Sequence, residues 1–323
     1  MNVQKTLERN IERFERGDRS ARIKAAKAIE NLAKESATPE VIQILIKLSE
    51  DQDFEDFYVR IHAARALGRL GEKATPEVIQ ALIMRCEDDT ESALVISSAA
   101  EALAKLVEKA TTQEVIRILS KLAEHKNKKA RGSAAEALGD LGEKATTPEV
   151  IQVLIKLSGD RNKIVREKAT WAFEHLGEKA ATPEVIQTLI KLSGDKDEKV
   201  RTNSAEALGH FREKAATPEV IQTLIKLSED KDELVRSESA WALGRLGEKA
   251  ATPEVIQVLV KLSGDQDEWV RSESAWALGR LGEKAATPEV IQVLIKLSGD
   301  KDEWVRKSAA DALENLGEKN ENN

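Results

Sequence analysis

Few residues of the types that most often carry chemistry occur in this chain of 323 residues, which has four histidines, one cysteine and five tryptophans. His175 and His210 are 35 residues apart, at equivalent positions of a repeated segment. Equivalent residues on adjacent packed helices lie about 10 Å apart, whereas metal–ligand bonds are about 2 Å long. We therefore expect a solvated surface pair, and the sequence predicts no metal site.

Catalytic motifs are also missing from the sequence. It contains no glycine-rich phosphate loop, no His-Glu-x-x-His segment and no serine nucleophile elbow. Cys86 is the only cysteine, so a disulfide framework is excluded. It stands where other repeats have serine, which indicates a structural role. The sequence predicts a protein that is not an enzyme, has no catalytic residues and binds no cofactor.

The tryptophans and nearby charged residues are candidates for contact with a partner. Tryptophan is enriched at binding hot spots, and its ring face attracts lysine and arginine. All five tryptophans occupy only two positions of the repeated segment, with glutamates and arginines close by. The set predicts a protein or peptide partner with apolar and basic side chains. The predicted partner-binding residues are Trp171, Trp241, Trp269, Trp276, Trp304, Leu234, Glu206, Glu238, Glu273, Arg245 and Arg280.

A sequence repeat must position these residues. The phrase Ala-Thr-Pro-Glu-Val-Ile-Gln begins at residues 181, 216, 251 and 286. All seven prolines occupy the same position of the repeat, Gln113 takes that position once, and the spacing is 37 residues twice and then 35. A period of this length is the signature of a solenoid. The sequence predicts an all-α fold, an α-solenoid of about nine stacked two-helix repeats that form a curved superhelix.

Each repeat contains signals for two helices, which we call A and B. Thr182 and Pro183 predict the start of a helix A, with a hydroxyl at the N-cap and proline at the first helical position. Asp195 and Glu198 have the spacing of a capping box that opens helix B, and a glycine such as Gly247 ends it. Glycines inside helix B indicate the close approach of a neighbouring helix. They are Gly209, Gly244 and Gly279.

The segment from Asp267 to Gly282 resembles a HEAT repeat of the short kind also found in bacterial phycobilin-lyase-like arrays, and the resemblance covers the whole chain. It implies that helix B lines a concave face. It also implies a ladder of turn aspartates and helix B arginines, which is expected to break at Ile96, Asn127 and Asn162. The matching residues are Asp197, Asp232, Asp267 and Asp302 with Arg201, Arg236, Arg271 and Arg306.

The resemblance favours a non-enzymatic protein-binding scaffold or adaptor that uses the helix B face. Two alternatives stay open, a phycobilin lyase-like subunit that handles a tetrapyrrole and a sensor array related to signalling ATPases. Trp241, Trp276, Trp269 and Trp304 are expected to form one patch with neighbouring acids. Whether that patch is exposed or packed between helices stays open, as does the oligomeric state.

Composition and repeat divergence give the remaining predictions. The formal net charge is -7, and from Ala216 onward 21 acids stand against 14 bases, so we expect no nucleic-acid partner. The sequence has no apolar run of about 20 residues, and we expect a cytoplasmic protein with no membrane contact. The predicted single domain, 1–323, has a capping repeat at 1–36, divergent repeats at 37–145, near-identical repeats at 146–285 and a capping repeat at 286–323.

Overall fold

The structure is a computed structural model that describes residues 6, 9, 10, 12, 18–33, 37–50, 57–88, 90–106 and 112–321. Those residues contain seventeen α-helices and no strand, which confirms the predicted helical repeat solenoid. The chain divides into two compact units, Met1–Ala172 and Phe173–Asn323. Among the described residues, no helix is both long and apolar enough to cross a membrane.

The first unit holds the divergent repeats and most of the first near-identical repeat. Helices A and B alternate along it, so that odd numbers denote helix B. Its helices are α1 (Arg19–Ala33), α2 (Pro39–Ser49), α3 (Phe57–Gly68), α4 (Pro76–Glu87), α5 (Ala93–Lys105), α6 (Thr112–Leu122), α7 (Lys128–Asp140), α8 (Pro148–Ser158) and most of α9 (Lys163–His175).

The second unit begins within α9 and holds the remaining near-identical repeats and the last repeat. The predicted capping repeat at 1–36 falls largely outside the described residues, and the division of the chain into capping and central repeats stays a prediction. The helices of this unit are α10 (Pro183–Leu192), α11 (Glu198–His210), α12 (Pro218–Leu227), α13 (Glu233–Arg245), α14 (Pro253–Leu262), α15 (Glu268–Arg280), α16 (Pro288–Leu297) and α17 (Glu303–Glu321).

Helix A begins as the Thr-Pro-Glu signal predicts. Thr182 Oγ1 accepts the backbone N–H of Val185 at 3.3 Å, and Pro183 opens α10. The cap satisfies a first-turn amide that has no partner inside the helix. The apolar stripe behind it is buried at Val185 and Leu189. The same cap forms at Thr38, Thr147, Thr217, Thr252 and Thr287.

Consecutive helices B pack closely because small residues line their contact. A Cβ atom at Gly244 would lie 2.7 Å from the Cα of Ala277, which confirms the role predicted for the helical glycines. Buried serine hydroxyls on the same surface are satisfied within their own helix, as Ser204 Oγ donates to the carbonyl of Val200 at 2.6 Å. Close approach therefore leaves these polar groups paired.

Helix B ends at a residue in the left-handed region. Gly247 has a φ of 67° and Gly282 a φ of 75°, which confirms the predicted glycine caps. Arg212 takes the same position after α11 with a φ of 50°. A side chain there is strained, because its Cβ crowds the following carbonyl.

The arginine ladder uses aspartates two residues earlier than predicted. Arg236 donates from Nε and Nη2 to the two carboxylate oxygens of Asp265 at 2.8 and 2.9 Å. Asp267, the predicted ladder residue, instead caps α15 by accepting the N–H groups of Trp269 and Val270 at 2.9 and 3.2 Å. Because Asp267 caps the helix, Asp265 is the aspartate that accepts the hydrogen bonds from Arg236. The equivalent pairs are Arg131–Asp160, Arg201–Asp230 and Arg271–Asp300.

Two further predictions about this turn are wrong. Asn162 does not break the ladder, because it caps α9 through the N–H of Ile164 at 3.1 Å while Asp160 still pairs with Arg131 at 2.7 Å. Asn127 likewise caps α7. The predicted Asp195 capping box is also shifted, because Asp197 stands at the N-cap of α11 and its N–H donates to Asp195. At Ile96, where the ladder was also expected to break, the arginine is replaced by a fully buried apolar side chain.

Candidate partner-binding face

One side of helix B in the second unit carries four rows of residues that vary among the repeats. On α15 these are Trp269, Glu273, Trp276 and Arg280, at spacings of four, three and four residues that share one side of a helix. We call the set the variable face. It contains every predicted partner-binding residue except Trp171, which lies on α9 in the first unit. Its other members are Lys199, Asn203, Glu206 and His210 on α11, Leu234, Glu238, Trp241 and Arg245 on α13, and Trp304, Ser308, Asp311 and Asn315 on α17.

The first row of the variable face is exposed, and it is apolar on α13, α15 and α17. Leu234 is 55%, Trp269 52% and Trp304 59% exposed. Each of these side chains directly precedes the buried valine of helix B. Lys307 lies over the Trp304 ring, with Nζ 5.9 Å from the centroid. Large exposed apolar side chains in a row are typical of a contact surface.

The tryptophans of the third row are packed against the preceding helix. A Cβ at Gly209 would lie 2.6 Å from the Trp241 ring, and one at Gly244 would lie 2.8 Å from the Trp276 ring. The two rings stack with centroids 6.5 Å apart. The tryptophans that we expected to form one patch therefore form two rows of different exposure, one packed and one open.

Arginines of the fourth row lie over the third-row rings. Arg245 is 5.2 Å from the Trp241 centroid, and Arg280 is 5.8 Å from the Trp276 centroid. His210 also contacts Trp241, with ring centroids 5.0 Å apart. We expected a partner's cations to contact these rings, but at Trp241 and Trp276 the chain's own arginines make part of these cation–π contacts.

The glutamates of the variable face are half-buried and close to one another. Burial, with the nearby charges of Glu206, Glu273 and Glu174, raises the pKa of Glu238 to about 8. Burial and the charge of Glu174 raise the pKa of Glu206 to about 7, although His175 opposes the change. Burial raises the pKa of Glu273 to about 6. The face therefore holds carboxylates that would gain from a cation.

Sequence reasoning missed Glu174, which completes a cluster with Glu206 and His210. One possible ligand atom from each residue lies within 4.8 Å of the others, and His210 Nε2 is 3.3 Å from Glu174 Oε1. The sequence predicts only a solvated surface pair of His175 and His210, whereas the structure places His210 beside two carboxylates. Aligning the repeats could have found the cluster, because Glu174 stands in the position of the helical glycines and Glu206 in that of the third-row tryptophans.

Glu174 and Glu206 stand at two positions where a glycine and a tryptophan contact each other in neighbouring repeats. Each third-row tryptophan, and Trp171 in the first unit, packs against a glycine of the preceding helix B. A side chain at that glycine would collide with the ring. With Glu174 in the glycine position, the next helix carries Glu206 in place of tryptophan, which leaves room for two carboxylates.

The family model for HEAT repeats matches residues 7–104, 91–174, 171–244, 213–279 and 249–314. The chain belongs to the HEAT-repeat family. No curated protein matches this HEAT-repeat chain.

Solved structures share the fold. The X-ray structure of YibA of Escherichia coli is 21% identical, with a TM-score of 0.64, covering 88% of this chain and 95% of that one. An engineered protein is 25% identical with a TM-score of 0.53, covering 63% of this chain and 96% of that one. A chain from the complex in which Kap95p binding induces the switch loops of RanGDP to adopt the GTP-bound conformation is 16% identical, with a TM-score of 0.65. That match covers 97% of this chain and 44% of the other, so this HEAT-repeat chain spans less than half of its length.

These comparisons support a HEAT-repeat solenoid, a fold commonly used as a protein-interaction scaffold. They give no support to the tetrapyrrole-handling subunit or the sensor array.

Proposed function

We propose that this protein is a non-enzymatic scaffold of the cytoplasm that binds a peptide or helix with apolar and basic side chains on its variable face. The observation that carries the proposal is the exposed first row, Leu234, Trp269 and Trp304. It lies on the same side of helix B as the half-buried glutamates. A Kap95p complex among the similar structures supports a protein as the class of partner.

The apolar part of the proposed contact is the first row. Tryptophan offers a large, rigid contact area, and burying such rings supplies much of the affinity at interfaces. Trp269 and Trp304 occupy the same repeat position on consecutive helices B, about 10 Å apart for adjacent helices. This spacing suits apolar side chains two turns apart on a bound helix, since two turns also rise by about 10 Å.

The basic part of the partner is proposed from the second row. Glu238 and Glu273 follow the first-row residues by one helical turn, and each has a raised pKa for which burial is the largest cause. A lysine or arginine placed beside them would favour their charged forms. The proposed ligand therefore alternates apolar contacts in the first row with cations in the second.

The proposal is tested by selecting random 16-residue peptides displayed on phage against the purified chain. Selected peptides are expected to be rich in lysine or arginine together with leucine or aromatic residues. Their affinities are then measured by calorimetry for the wild type and for Trp269→Ala/Trp304→Ala. We expect a loss of about 2 kcal/mol, close to thirtyfold in Kd.

Ile295→Ala is the matched control, because Ile295 is 59% exposed but lies on a helix A, α16. It should leave the affinity unchanged. Selection of acidic peptides, or equal affinity for the wild type and the double tryptophan variant, would contradict the proposed surface.

A further inference from the structure

The cluster of Glu174, Glu206 and His210 combines one nitrogen and two oxygen ligands from adjacent helices B. Glu206 and His210 are four residues apart on α11, so their side chains lie on the same side of that helix. Glu174 reaches them from α9. Its side chain is 14% exposed and that of His210 35%. The cluster is thus half-enclosed and open to solvent on one side.

The distances suit a small metal ion. Bonds of about 2.0–2.1 Å to imidazole nitrogen and carboxylate oxygen in a tetrahedral site place neighbouring ligand atoms about 3.3 Å apart. His210 Nε2 and Glu174 Oε1 already have this separation, 3.3 Å. The remaining separations within the cluster are at most 4.8 Å, and side-chain rotation of the glutamates can close them.

The donor types of the cluster indicate which class of metal ion it would hold. Imidazole as a ligand favours Zn²⁺ and similar transition metals over Mg²⁺ or Ca²⁺, which prefer all-oxygen sites.

We propose that Glu174, Glu206 and His210 bind one divalent transition-metal ion of the Zn²⁺ type, with water at the remaining coordination position. The ion would link α9 to α11 where the glycine–tryptophan contact of other repeats is replaced. It would offset the repulsion between the two carboxylates. This site is separate from the exposed tryptophan row of the proposed partner surface.

The test measures Zn²⁺ binding by calorimetry on the tag-free, chelator-treated protein, with Co²⁺ absorbance as a second readout. The wild type should bind one Zn²⁺ per chain, show the visible bands of Co²⁺ bound to a nitrogen and oxygen site, and melt at a higher temperature with Zn²⁺. Mg²⁺ should have no effect. His210→Asn should weaken Zn²⁺ binding at least tenfold, and asparagine already stands at this position as Asn315 in the last repeat.

Two further variants make the test decisive. Glu174→Gly/Glu206→Trp restores the residue pair of the neighbouring repeats, so it should fold and lose the site. His175→Asn changes the adjacent histidine outside the cluster and should bind Zn²⁺ as the wild type does. The proposal is overturned if the wild type does not bind Zn²⁺, if the double variant binds it equally well, or if His175→Asn abolishes binding.

Discussion

Acidic side chains recur with the period of the repeat at two places, in the turns before helix B and on the variable face. The groups that surround them differ between the two places. In the turns, Asp230, Asp265 and Asp300 each accept two hydrogen bonds from an arginine of the preceding repeat. On the variable face, Glu238 and Glu273 are half-buried with other carboxylates as neighbours. The first arrangement stabilises the stack, whereas the second leaves negative charge available to a ligand.

The pKa directions express the same contrast. The hydrogen bond from Arg271 is the largest cause that lowers the pKa of Asp300. For Asp265, burial alone would raise the pKa, but the hydrogen bond from Arg236 and the nearby backbone N–H groups outweigh it. Among the described residues, no comparable partner offsets the burial of Glu273, and its pKa rises to about 6. Burial of a carboxylate is therefore stabilising or costly according to what faces it.

Removing a ladder arginine should have the largest effect. Arg236→Met leaves the carboxylate of Asp265 buried without its guanidinium and also removes the bond from Nη1 to the carbonyl of Asp230. We expect the free energy of unfolding to fall by about 3 kcal/mol. Urea denaturation measures it. Arg280→Met, on the variable face, should cost no more than about 1 kcal/mol, and equal losses would erase the contrast.

The second-largest effect is expected between the packed and the exposed tryptophans, whose replacement should change the free energy of unfolding by different amounts. Trp241→Ala removes a ring packed on Gly209 and should lower the free energy of unfolding by about 2 kcal/mol through the cavity that it leaves. Trp269→Ala, at a side chain 52% exposed, should change it by about 0.5 kcal/mol or less. Thermal and urea unfolding of both variants check this. A large loss for Trp269→Ala would assign the first row to packing.

A charge reversal at Glu238 should give a smaller change than Trp241→Ala, and one of opposite sign. The first unit provides the precedent, because Lys168 forms an ion pair with Glu136 at the positions equivalent to Glu238 and Glu206. Glu238→Lys should raise the free energy of unfolding at pH 8 by about 1 kcal/mol, an amount discounted for solvent screening of half-buried groups.

The pH dependence gives the sign of this prediction. The pKa of Glu238 rises from 4.5 to about 8 on folding, so between these values the folded state holds a proton that the unfolded state has lost. Stability of the metal-free wild type therefore falls as pH rises through this window. Urea denaturation at pH 5 and pH 8 should show the advantage of Glu238→Lys shrinking at the lower pH. An advantage that is equal at both values would contradict the raised pKa.

Local signals in the sequence were sufficient for the helices but not for the contacts between repeats. Thr182 and Pro183 predict the start of α10 because capping depends on neighbouring residues. The ladder was assigned to Asp267 instead of Asp265 because both aspartates lie in one turn, and only the fold shows which faces the preceding arginine. Trp241 and Trp269 are the same residue type, but Trp241 is packed because its ring lies against Gly209 of another helix.

Glu174 shows a second limit of prediction from the sequence. Its position in the repeat follows from the repeat spacing, but its role depends on Glu206 and His210, which lie in the next repeat. Comparing each repeat with its neighbour would have detected that the glycine and the tryptophan change together. Exposure of the first row, by contrast, could not be settled from the sequence, since an exposed and a packed tryptophan have the same helical spacing.

The most direct test of the contrast is a carbon-13 NMR titration of the side-chain carboxyl groups in the metal-free protein. We predict that Glu238 titrates near pH 8 and Glu273 near pH 6, while Asp230, Asp265 and Asp300 titrate below the ordinary aspartate value of 3.8. Titration of both glutamates near their ordinary value of 4.5 would contradict the claim that burial raises the pKa of carboxylates on the variable face.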